Sequence, residues 1–102
     1  MPYQASLTQQ HGFLHAGINT MLLDSACGYA ALTLMPANAD VLSIEFKVNL
    51  LSPAVGDSFV AKAEVVRSGK TITVCRAELE AHKGNEHKTV ALMQATMMTV
   101  AA

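Results

Sequence analysis

The sequence predicts an α+β domain, one buried helix followed by four antiparallel strands. Two observations carry this. Residues 18–34 (INTMLLDSACGYAALTL) contain no proline and are apolar nearly all round, which predicts a helix buried on every side and not an amphipathic surface one. From Val41 the hydrophobic period changes to two, and short turn signals recur, the pattern of strands joined as hairpins. A chain of 102 residues is one domain, with one core.

Each element follows from its residues. The helix ends before Pro36, because the residue preceding a proline is pushed out of helical geometry. Along it Gly17, Thr20, Asp24, Cys27, Gly28 and Ala31 fall on one stripe at three- and four-residue spacing. In the first strand Leu42, Ile44, Phe46, Val48 and Leu50 alternate with Ser43, Glu45, Lys47 and Asn49, predicting one buried and one solvated face. Ser52-Pro53 and Gly56-Asp57 mark a loop. The second strand runs over 58–67 and closes on the hairpin signal Ser68-Gly69. The third covers 71–81. After the turn Lys83-Gly84-Asn85-Glu86 the fourth covers 88–100. Both faces of that last strand are half apolar, which suits cover on each side. Short turns make the sheet antiparallel, with the helix packed on one face.

Composition excludes several functions. Hydrophobic residues make up 51% and charged residues 15%, unlike a disordered tail. The apolar content exceeds what one small core hides, so self-association is expected. A net charge of -1 without a basic stripe argues against nucleic acid. No apolar run approaches the ~18 residues of a membrane span. Met1-Pro2-Tyr3-Gln4 lacks the basic start of a signal peptide. Cys27 and Cys75 are too few and too scattered for a disulfide framework or a zinc site. The expected compartment is the cytoplasm.

Asp24 is the only charged side chain in the first 39 residues, counting His as neutral. A lone carboxylate inside an apolar helix is costly unless paired, and no Lys or Arg lies three or four residues away. It marks a catalytic group, or else a helix kink or cap partner or a structural contact at a subunit seam. His15-Ala16-Gly17 opens the helix, where unpaired N–H groups suit an oxyanion. His15 is otherwise a turn residue bonded to backbone, as is His11. Gln9 and Gln10 are loop residues whose amides can position water or a carbonyl. Arg67-Ser68-Gly69-Lys70 places two cations at a turn, a phosphate contact or a solvated hairpin. His82 and His87 lack metal-site spacing. Met93, Met97 and Met98 read as core or interface.

His15-Ala16-Gly17, Leu22-Leu23-Asp24-Ser25-Ala26 and Gly28-Tyr29-Ala30-Ala31 resemble the signature of hotdog-fold acyl-CoA thioesterases, closest to the phenylacetic acid degradation type. The resemblance continues through residues 45–54, the 65–70 hairpin and 91–98. It implies a hotdog fold, a long central helix wrapped by an antiparallel sheet, assembled as a dimer or as a homotetramer built of two dimers. It implies Asp24 as nucleophile or general base and the Ala16 N–H as the group polarising the thioester carbonyl. His15 and Gln9 would orient substrate or water, and Gly17 and Asn49 would contact substrate. Arg67, Ser68 and Lys70 would contact the CoA nucleotide. In such proteins the site lies between two subunits, Asp24 from one and the Gln9–Ala16 turn from the other. The chain departs from the family in having Ala16 for the first Gly of the usual pair. It also begins almost at the site, so an N-terminal helix and first strand are expected to be missing.

The expected function is hydrolysis of an aromatic or medium-chain acyl-CoA to the free acid and CoA. No cofactor, metal, nucleic acid or membrane partner is implied. The alternatives are a non-catalytic acyl-CoA-binding hotdog domain and a hotdog dehydratase or hydratase. The latter needs a different His and acid motif, which the sequence lacks.

Overall fold

The computed structural model describes residues 16–101. The order is α1 (Ala16–Leu32), β1 (Ala39–Leu50), β2 (Ser58–Ser68), β3 (Ile72–Lys83) and β4 (Glu86–Ala101). The strands form one antiparallel sheet in the order β1-β4-β3-β2, and α1 lies across one face of it, touching all four.

The expected elements all form. The helix ends before Pro36 exerts any constraint, because its last turn tightens: Leu34 N–H donates to Ala31 O and Met35 N–H to Leu32 O, both at 3.1 Å. Strands β3 and β4 run up to a two-residue turn, with Lys83 opposite Glu86. Gly84 there has φ 60°, the left-handed conformation that glycine adopts without steric cost. At the β2–β3 hairpin Gly69 N–H donates to Ile72 O at 2.8 Å. A Cβ on Gly69 would stand 2.7 Å from that oxygen, so the close approach excludes a side chain.

The core is the seam between helix and sheet. Leu23, Cys27 and Ala31 of α1 pack on Phe59, Cys75, Leu79, Ala91, Ala95 and Met97, all buried. Three sequence expectations are corrected here. The helix is not buried on every side: Asn19, Leu23, Cys27 and Ala31 are buried, whereas Gly17, Met21, Ser25 and Tyr29 form an exposed stripe. Tyr29 is 73% exposed. A single sheet covers one side of a helix, and no second layer lies on the other side among the described residues.

The first strand is likewise an edge and has no fully buried residue, only Val41 and Val48 packing half-buried against the core. Leu42 is 54% and Phe46 47% exposed. Its alternation is also broken. The register shifts between Ser43 and Glu45, so Ile44 is the extra residue of a β-bulge. Strand β4 is covered on one side only: Ala91, Met93, Ala95 and Met97 are buried under α1, while Leu92 and Gln94 are exposed.

The far face of the sheet is polar. Glu80 sits between Lys62 Nζ at 3.1 Å and His82 Nε2 at 3.0 Å. The Lys62 hydrogen bond, then that of His82, holds its carboxyl below the ordinary value. Arg76 pairs with Glu64, and the rings of His82 and His87 stack at 5.3 Å.

Both cysteines are core residues. Cys75 Sγ lies 3.6 Å from Cys27 O as a weak donor. Burial, then the neighbouring Cys75 thiol and the Asp24 carboxylate, pushes the Cys27 thiol up to about 12 from its ordinary 9.0. Burial also raises Cys75. The folded state therefore favours the neutral thiols. Well below pH 9.0 both states keep the Cys27 proton and stability is unaffected. As pH rises from there toward about 12 the unfolded chain ionises first and stability falls. In native protein at pH 8 neither thiol should react with a disulfide reagent, and both should react at once in denaturant. Fast labelling of the native protein would show that the seam opens.

Candidate active site

Asp24 lies in the middle of α1, half-buried on the flank that faces β1. Its Oδ1 accepts a hydrogen bond from Ser43 Oγ at 2.8 Å. The same hydroxyl lies 3.3 Å from Met97 Sδ. The Ser43 O–H carries one proton, and the carboxylate is both the nearer and the stronger acceptor. Asp24 Oδ2 has no hydrogen bond among the described residues.

Sequence reasoning missed Ser43. Strict alternation assigns it to the solvated face with Glu45, Lys47 and Asn49. The bulge at Ile44 reverses this. Ser43 pairs with Met97 and, beyond the bulge, Phe46 pairs with Ala95, and Met97 and Ala95 both face the helix. The extra residue thus turns Ser43 toward Asp24. The available signal was the mismatch itself, a small hydroxyl residue opposite the lone helix carboxylate.

A cleft of about 330 Å³ opens at this contact. Asp24, Ser25, Gly28, Tyr29 and Leu32 form its helix wall. Asp40, Val41 and Ser43 of β1 form the other. Gly28 keeps it open: a Cβ there would meet only Val41 Cγ1, at 4.0 Å. The lining carries two carboxylates and no Lys or Arg.

The remaining candidates are not gathered around Asp24 in one chain. Ala16 and Gly17 open α1, with Thr20 Oγ1 donating to Ala16 O at 3.0 Å. Eight residues of helix separate Ala16 from Asp24, about 12 Å at 1.5 Å per residue. Arg67, Ser68 and Lys70 are exposed at the β2–β3 hairpin, outside the cleft. Asn49 pairs with Leu92 on the far face of the sheet, where it lines a polar hollow of about 630 Å³ with Lys62, Glu64 and Arg76. Gln9, Gln10, His11 and His15 lie outside the described residues. No group of three or more His, Cys, Asp or Glu side chains able to hold a metal occurs among the described residues. No helix among them is long and apolar enough to cross a membrane.

Comparisons with known proteins agree with this architecture. The pattern of the Thioesterase superfamily matches residues 11–88. A Halobacterium salinarum protein named as an esterase is 39% identical over 79 residues, 72% of this chain. The chain spans about half the length of the curated relatives it matches, 52% and 55%. The crystal structure of a thioesterase family protein from Silicibacter pomeroyi superposes with a TM-score of 0.98 at 54% identity, over 100% of this chain and 75% of that one. A Bacillus halodurans protein crystallised with CoA has the same fold, with a TM-score of 0.91 at 22% identity over 98% of this chain and 68% of that one. The helix laid across a four-stranded antiparallel sheet and the match over most of its residues lead to one conclusion: the chain belongs to the thioesterase superfamily and has the hotdog fold.

Proposed function

We propose that the protein hydrolyses an aromatic or medium-chain acyl-CoA to the free acid and CoA. One observation carries this reading: a helix carboxylate stands in a cleft with one oxygen tied to Ser43 and the other without a partner among the described residues. Family membership and a CoA-bound relative of the same fold support it.

The chemistry asks little beyond these groups. A thioester is an activated acyl group, so the enzyme has to stabilise the oxyanion and deliver a nucleophile. Asp24 Oδ2 takes a proton from water as the water oxygen bonds to the thioester carbon. The tetrahedral intermediate expels the CoA thiolate, which receives that proton, and the acid is released. Ser43 fixes which carboxylate oxygen faces the water. If Asp24 attacks directly, a mixed anhydride forms first and water then cleaves it. Single turnover in ¹⁸O-water separates the two, because only the anhydride route permits label to enter the Asp24 carboxylate.

The oxyanion donor in this reading is the Ala16 N–H of a second subunit, whose Gln9 and His15 orient substrate or water. The ~12 Å between Ala16 and Asp24 within one helix supports a shared site. So do exposed Phe46 on the helix side of edge strand β1 and exposed Met21 and Tyr29 on α1, apolar surface that a second copy would cover. The assembly is a dimer, or a tetramer of two dimers, in the cytoplasm. Gly17 lets substrate approach the start of the helix, and Arg67, Ser68 and Lys70 contact the nucleotide of CoA. Asn49, kept as a substrate contact in this reading, lies on the far face of its own sheet.

Four outcomes test this reading. Asp24→Asn should fold and bind acyl-CoA while kcat falls by at least ~10²-fold, and Ser43→Ala should lose about tenfold because Asp24 is retained but no longer oriented. An Asp24→Asn variant with parental kcat would remove the catalytic assignment. Sedimentation at micromolar concentration should show no folded 10.8 kDa species as the main component. Replacing Arg67 and Lys70 by Ala should raise KM and leave kcat nearly unchanged, less so at high salt. An unmoved KM would assign both charges to solvent.

A further inference from the structure

Beside Asp24, the cleft holds a second carboxylate to which the reaction gives no role. Asp40 forms its far end on β1, three residues from Ser43, about 10 Å along an extended strand. Its Oδ1 accepts the N–H of Val41 at 2.8 Å, so the side chain is held at the rim. Between the two carboxylates the walls are uncharged: Gly28, Tyr29, Leu32 and Val41.

A thioester held at Asp24 projects two arms. The CoA arm ends in phosphates, which a path lined by acid and, among the described residues, lacking cations repels. The arm that suits the apolar walls of Gly28, Leu32 and Val41 is the acyl group. An acyl chain lying there brings its far end toward Asp40. An uncharged end meets no penalty, whereas an end bearing a carboxylate meets a like charge at the rim of the cleft. Specificity built by repulsion costs the accepted substrate nothing.

Building on the acyl-CoA hydrolysis proposed above, we infer that Asp40 is a specificity-determining residue that restricts the cleft to acyl groups without a terminal negative charge. The test compares hexanoyl-CoA with adipoyl-CoA, six-carbon acyl groups differing in a terminal carboxylate, using the full chain and its Asp40→Asn and Asp40→Lys variants. Both variants should fold, since Asp40 is exposed. The parent should favour hexanoyl-CoA by about tenfold or more in kcat/KM. Asp40→Asn should raise kcat/KM for adipoyl-CoA about fivefold while hexanoyl-CoA stays within about twofold, and Asp40→Lys should raise it further. The gain should shrink with added salt. An adipoyl-CoA rate unmoved in both variants would overturn the inference. So would equal changes for both substrates, which would put Asp40 against the CoA arm. If the parent releases no thiol from either substrate, the hydrolase reading itself fails, and the inference with it.

Discussion

One sheet can cover only one side of one helix, and most of what is distinctive in this protein depends on that constraint. The chain invests its apolar residues on more surfaces than its own sheet can hide. Leu23, Cys27 and Ala31 are buried against β2, β3 and β4, while Met21 and Tyr29 of α1 and Leu42, Ile44, Phe46 and Leu50 of β1 remain open. Burial is worth about 25 cal/mol per Å² of apolar surface, so open apolar faces are a standing drive to associate. The proposed subunit pairing satisfies that drive and also brings a helix start to a helix centre, two groups that one chain holds two turns apart.

The constraint also places the site. A carboxylate facing the seam would lie among Cys27, Cys75 and Leu79, and one on the open stripe would be solvated. Asp24 lies on the flank between these, where the helix meets the edge strand. There it is withdrawn from bulk water yet still reached from the cleft. The Ile44 bulge completes the arrangement. A bulge locally disrupts the ladder, and at a sheet edge that disruption is tolerated. Its result is that Ser43 is turned onto Asp24.

Charge is sorted by face. Lys62, Glu64, Arg76 and Glu80 pair on the far side of the sheet, where opposite signs alternate. The cleft side has Asp24 and Asp40 and no cation in its lining among the described residues. The proposed hydrolysis gives the first of these carboxylates a role. The second is in keeping with a boundary on the substrate, since an unpaired like charge discriminates by what it refuses.

The sequence alone determined the element order, the hairpin turns and the site of the lone acid, because these depend on local chemistry. The loss of helical geometry before a proline, the freedom of Gly84 at positive φ and the period of hydrophobic residues act within a few residues of one another. Asp24 stood out because its neighbours in the chain cannot pair with it. Which faces are buried was decided only by the tertiary structure. An apolar run around a helix reads the same whether one layer covers it or two, so the exposure of Met21 and Tyr29 was not legible. Nor was Ser43 legible as the partner of Asp24. A bulge is set by how one strand registers against another, and a shift of one residue moves every later side chain to the opposite face.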